Sequence, residues 1–216
     1  MKWIHRILDS ARDTIRGWMN HVARALDKLS GGSLKPNTIT YIGFLMHIPV
    51  AVLIATNQFV LGALTLVIFG LFDALDGALA RVQKNDSAGG MLLDASTDRM
   101  KEVLLYIGVA YVLINSGAEL AAVWAVAACG ASICVSYIKA KGEAAIATLQ
   151  TVSAQEVNTL FKDGLLRFEV RMFVLIVGLL TNQLIIALII ITTLSTYTAF
   201  DRLLRIQRTL DEASRV

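Results

Sequence analysis

The chain has 216 residues, 56% of them hydrophobic, with a mean hydropathy of +0.62, a formal net charge of +3 and a pI near 8.9. That apolar fraction exceeds what a soluble domain carries. A modest basic excess on such a chain suits an anionic membrane leaflet and does not point to nucleic acid. The two cysteines, Cys129 and Cys134, share one apolar stretch without metal-ligand spacing and read as buried apolar fillers.

Residues 1–29 begin basic, but no apolar core of the length of a secretory signal follows. Apolar residues instead recur at Ile4, Ile7, Leu8, Ala11, Ile15, Trp18, Met19, Val22 and Leu26, with Arg6, Arg12, Asp13, Arg16 and Arg24 on the other face. This pattern predicts an amphipathic helix. The natural reading is a helix lying in the interface of the cytoplasmic leaflet, and the alternative is one packed on the protein's own bundle. Ser30-Gly31-Gly32-Ser33 forms a flexible break, and Pro36 then suits the first turn of a new helix.

Apolar stretches long enough to approach the roughly 20 residues of a membrane-spanning helix follow at 37–57, 60–81, 91–114, 120–140, 166–181 and 183–203. The fifth is the weakest, because Arg167, Glu169 and Arg171 occupy its first turns and should face helices or water rather than lipid. The expectation is an all-α integral membrane protein of six transmembrane helices preceded by a cytoplasmic interfacial helix. Residues 1–33 form the juxtamembrane helix and linker, and 34–216 form one membrane domain.

The segments joining spans one and two, three and four, and five and six contain no Lys or Arg. All 20 basic residues lie on the other side. By the positive-inside rule both termini of this multi-pass chain are cytoplasmic, in the cytoplasmic (inner) membrane. Four aspartates, Asp73, Asp76, Asp94 and Asp98, then lie at the cytoplasmic ends of spans two and three.

Carboxylates at such positions are expensive and usually functional. At 100° per residue, Asp73 and Asp76 lie about 60° apart on one helix, and Asp94 and Asp98 about 40° apart on the next. A short loop containing Gly89-Gly90 holds the two helices side by side, so the four carboxylates can converge. Alone they would repel. Divalent cations resolve the repulsion, and all-oxygen ligands suit Mg²⁺ or Mn²⁺, the former commonly shared with substrate phosphates. Gly77 leaves room for a ligand beside the helix, and Arg81 offers a planar fork suited to phosphate.

The full pattern reads Asp73-x2-Asp76-Gly77-x2-Ala80-Arg81-x8-Gly90-x3-Asp94-x3-Asp98. It resembles the signature of the CDP-alcohol phosphotransferases at every position, and the Pro36-Asn37-x-Ile39-Thr40 opening of span one is also similar to that family. The resemblance implies transfer of a phosphatidyl-type group from a CDP-linked lipid such as CDP-diacylglycerol to an alcohol, with CMP released, in phospholipid biosynthesis. It implies two Mg²⁺ or Mn²⁺ ions on Asp73, Asp76 and Asp94, and Asp98 as general base and possible further ligand. It implies nucleotide contacts from Gly77, Arg81, Asn37 and Thr40, a cytoplasm-facing active site among membrane lipids, and a homodimer.

Ser136-Tyr137-Ile138-Lys139-Ala140-Lys141 is similar to a stretch of the prokaryotic phosphatidylinositol-phosphate synthases. That resemblance implies a small phosphorylated alcohol acceptor, inositol 1-phosphate, held through its phosphate by Ser136, Lys139, Arg167, Arg171 and Arg205. Lys141 stands where that branch has arginine, and the two are not equivalent for bidentate phosphate binding. Glycerol 3-phosphate, the acceptor of a phosphatidylglycerophosphate synthase, is the alternative. From another class, intramembrane carboxylates also mark small cation or proton transporters, although the outer half of every span lacks ionisable groups.

Overall fold

The computed structural model describes residues 2–85, 87–147 and 168–213. Among them are seven helices and no strand: α1 (Lys2–Ser30), α2 (Pro36–Ala55), α3 (Phe59–Gln83), α4 (Ala88–Asn115), α5 (Glu119–Ala147), α6 (Phe168–Leu180) and α7 (Leu184–Ala213). Helices α2, α3, α5 and α7 are each long and apolar enough to cross a bilayer. Helix α4 has the length but carries Asp94, Asp98, Arg99, Lys101 and Glu102 in its first half. The expected fifth span corresponds to α6, and its first two residues lie outside the described residues.

Helix ends follow local chemistry. Pro36 opens α2, as its missing N–H allows. Pro49 sits inside α2, which continues through it. After α3 the chain turns through Lys84 in the left-handed region, at φ 51°, and Asn85 N–H closes on Ala80 O at 2.9 Å. Ser87 Oγ then accepts from Gly90 N–H at 3.0 Å, an N-cap for α4. These two caps end α3 and start α4.

The chain divides into two compact units, residues 1–53 with 61–105, and residues 54–60 with 106–216. In the first, Met19 and Ala23 of α1 pack with Ile39 of α2 and with Ala78 and Leu79 of α3, flanked by Leu71, Phe72 and Leu75. Burying a side chain such as Met19 is worth about 1.5–3 kcal/mol. Polar contacts tie the same elements: Gln83 Nε2 donates to Asp27 Oδ1 and to Leu34 O, both at 2.8 Å. The C-terminal half of α1 is thus packed on the bundle, while Ile15 and Trp18 of the same apolar face stay exposed. Leu61, Leu64, Val67 and Ile68 of α3 form an exposed apolar stripe at helical spacing. In water such a stripe would be a liability, and in lipid it is the expected surface.

In the second unit α7 packs against α5 and α6. A methyl group placed on Gly178 would lie 2.5 Å from Ala187 Cβ, so the α6–α7 hairpin closes only because that position has no side chain. Tyr106 Oη and Ser132 Oγ lie 3.4 Å apart in the buried interior. Neither Cys129 nor Cys134 forms a disulfide among the described residues, and Cys134 is exposed, contrary to its reading as a buried filler. Exposure of a thiol on an apolar helix carries little cost where the surroundings are also apolar.

Candidate metal centre and active site

Asp73 and Asp76 lie on the polar end of α3, and Asp94 and Asp98 on the first turns of α4. Helices α3 and α4 bring the pairs side by side, and α2 closes a third side. Gly43 permits that approach. A Cβ there would lie 3.1 Å from Phe72 Cβ and 3.7 Å from Asp73 Oδ1. One carboxylate oxygen from each of Asp73, Asp76 and Asp94 lies within 4.8 Å of the others. Asp76 is buried and Asp94 is the most open of the three. Three convergent hard oxygen donors, open on one side, fit a divalent cation that keeps positions for water or substrate oxygens.

Thr40, singled out from the sequence as a phosphate contact, is buried, and its hydroxyl donates to Asp76 Oδ2 at 2.6 Å. It therefore orients a carboxylate of the triad. Asp98 is not one of the three, but shares Lys101 with Asp73, in an ion pair 3.3 Å from Lys101 Nζ and 3.7 Å from Arg99 Nη2. Arg99 also pairs with the fully buried Glu102. The four carboxylates are arranged as three and one.

Lys101 is a residue of this cluster that reading the sequence missed. Its side chain is 1% exposed and pairs with Asp73 as well as Asp98. The signal was present, since a lysine in the apolar run after Asp98 must find carboxylates or leave the membrane. His47 of α2 is also buried here, its Nδ1 2.7 Å from Gly43 O.

Arg81 is exposed at the rim, and its Nη2 lies 3.4 Å from Asn20 Oδ1. Asn37 is exposed beside the start of α4, 3.4 Å from where a Cβ on Gly90 would lie. A Cβ on Gly77 would meet only Arg81 Nη1, at an ordinary 3.5 Å, so the protein's own packing does not demand that glycine.

The expected acceptor residues belong to the second unit. Ser136 Oγ donates to Ser132 O at 3.4 Å, and Lys139 Nζ lies 3.7 Å from Glu143 Oε1 at a half-exposed position. Arg171 is buried, its guanidinium 6.0 Å from the Phe168 ring. Arg205 is exposed and bonded to Asp201 at 3.1 Å. Arg167 lies outside the described residues. Arg202, not singled out from the sequence, is buried and donates to Val135 O at 3.1 Å, next to Ser136.

The family model for CDP-alcohol phosphatidyltransferases matches residues 33–200, which include Asp73, Asp76, Asp94 and Asp98. The chain belongs to that family. Family membership carries the enzyme assignment and sets aside the transporter alternative. The chain is 32% identical over 161 residues to the phosphatidylinositol phosphate synthase of Corynebacterium glutamicum, covering 73% of this chain and 67% of that one. It is 29% identical over 137 residues to the archaetidylinositol phosphate synthase of Methanothermobacter thermautotrophicus, covering 63% of this chain and 65% of the relative. It thus spans about two thirds of the length of either relative. The fold matches the crystal structure of Mycobacterium tuberculosis phosphatidylinositol phosphate synthase with CDP-DAG bound, at a TM-score of 0.73 and 23% identity, over 87% of this chain and 92% of that one. The same enzyme in complex with manganese and citrate matches at a TM-score of 0.72 and 22% identity, over 88% of each chain. This CDP-alcohol phosphatidyltransferase is an all-α membrane protein.

Proposed function

We propose that this chain transfers the phosphatidyl group of a CDP-linked lipid, CDP-diacylglycerol or its ether-linked counterpart, to inositol 1-phosphate. The observation that carries the reading is the triad of Asp73, Asp76 and Asp94 oxygens within 4.8 Å, set on the family signature. The Ser136–Lys141 stretch and the activities of the relatives support this acceptor.

In this reading Asp73, Asp76 and Asp94 hold two divalent ions, Mg²⁺ or Mn²⁺. Bound ions of this kind neutralise the diphosphate and stabilise charge on attacking and leaving oxygens. Thr40 keeps Asp76 in its ligating rotamer. Asp98 accepts the proton of the acceptor hydroxyl. That oxygen bonds to the phosphorus bearing the lipid, the bond to CMP breaks, and CMP leaves. Gly77 leaves space for the nucleotide, Arg81 and Asn37 contact the CDP moiety, and Ser136, Lys139, Arg167, Arg171 and Arg205 form the acceptor-phosphate pocket.

The membrane arrangement belongs to the same proposal. Helices α2 to α7 form six spans behind an interfacial α1, with residues 1–33 as arm and 34–216 as membrane domain. Both termini and the site face the cytoplasm, because the Lys and Arg residues cluster on that side. The working unit is a homodimer, as the family resemblance implies.

The test is CMP release by purified protein in detergent with Mg²⁺ and CDP-diacylglycerol, with inositol 1-phosphate and glycerol 3-phosphate in parallel. Release with inositol 1-phosphate alone is expected. Release with glycerol 3-phosphate alone would move the chain to the phosphatidylglycerophosphate branch. Asp98→Asn should release no CMP while remaining folded and still binding metal.

A further inference from the structure

The proposed mechanism leaves Lys101 without a role. Its ammonium is buried, one turn deeper along α4 than Asp98. It reaches across to Asp73 on α3 and back along α4 to Asp98, at 3.3 Å. A buried ammonium is tolerated only with close, hydrogen-bonded anionic partners. Both of its partners are carboxylates of the family signature. Asp73 also belongs to the metal triad, so one carboxylate answers to two cations. The neighbouring Arg99 pairs with Glu102 and also lies 3.7 Å from Asp98, a longer contact than the 3.3 Å that Lys101 makes.

We infer that Lys101 is a positioning residue: a fixed cation that holds Asp73 on α3 and Asp98 on α4 in register and holds down the site's affinity for divalent ions. The inference rests on the reading of Asp73, Asp76 and Asp94 as metal ligands. Its physical content is charge balance. Without Lys101, Asp73 loses its ammonium partner and Asp98 is left with the longer Arg99 contact, so divalent ions must neutralise more of the charge. With Lys101 in place, part of the charge on Asp73 and Asp98 is already satisfied, so ions bind less tightly and the two helices keep their spacing.

The experiment is Mn²⁺ titration of the purified full chain, read by electron paramagnetic resonance of the free ion, for wild type, Lys101→Met and Lys101→Arg. A unit charge a few ångströms away, at an effective dielectric of about 20, is worth well over a tenfold change in ion binding. Lys101→Met should bind Mn²⁺ at least about tenfold more tightly than wild type, and its thermal stability should depend on Mn²⁺ more strongly. Lys101→Arg should keep the wild-type affinity. CMP release should fall in the Met variant and recover in part in the Arg variant. Equal or weaker Mn²⁺ binding by Lys101→Met overturns the inference. Should that variant fold only when purified in Mn²⁺, the inference stands. Failure to fold with Mn²⁺ as well as without it overturns it, since the position would then serve packing and not charge. Absence of Mn²⁺ binding by the wild type would instead remove the metal-site reading itself.

Discussion

Thr40 Oγ1 and Asp76 Oδ2 are joined by a 2.6 Å hydrogen bond between α2 and α3, across 36 residues of sequence. A carboxylate used as a metal ligand has two oxygens and a free rotor, and a bond to one oxygen fixes where the other points. Thr40→Val removes the donor while keeping the shape. It should weaken Mn²⁺ binding by about ten- to a hundredfold, with Thr40→Ser restoring most of it. Unchanged binding in the valine variant would show that Asp76 is oriented by something else.

Asp94 is the most open member of the triad and tests the metal centre from the other helix. Asp94→Asn should lower CMP release by about a hundredfold or more, as expected when charge stabilisation by a bound ion is lost. Stability in EDTA should not fall, because removing one of several like charges relieves repulsion. A melting temperature that drops with activity would mean that Asp94 serves the fold.

Protons compete with metal for carboxylate oxygens. CMP release should therefore decline in acid, and raising the Mn²⁺ concentration should move that decline to lower pH. Excess EDTA should stop turnover, and Mg²⁺ or Mn²⁺ should restore it. An acid limb that ignores metal concentration would place the titrating group outside the metal site.

The α6–α7 hairpin gives a prediction about stability alone. A Cβ on Gly178 would sit 2.5 Å from Ala187 Cβ, so Gly178→Val should destabilise the protein by about 1–3 kcal/mol. Gly70 has nothing within 4 Å of an added Cβ, and Gly70→Ala is the control that should leave the melting temperature in place. Equal behaviour of the two variants would show that the hairpin has room to relax.

The local pattern of the chain determined much of this. The period of the apolar residues yields helices at the expected places, because a segment in lipid must satisfy its own backbone hydrogen bonds. The spacing Asp73-x2-Asp76 and Asp94-x3-Asp98 put paired carboxylates on helix faces, because helical geometry is set by residue number alone. The family signature was likewise legible, since it lies within 26 consecutive residues, 73–98.

What only the tertiary structure decided depends on contacts between distant segments. Nothing in the sequence near Thr40 says that its hydroxyl meets Asp76 and not a ligand. Which three of the four aspartates converge, and which of them Lys101 bridges to Asp98, rests on how α3 and α4 rotate about their axes, which packing at Gly43 and the caps at Lys84 and Ser87 help set. The same rotation buries Lys101 against Asp73 and Asp98. A helical pattern states which residues share a face, and only the packed bundle states what that face meets.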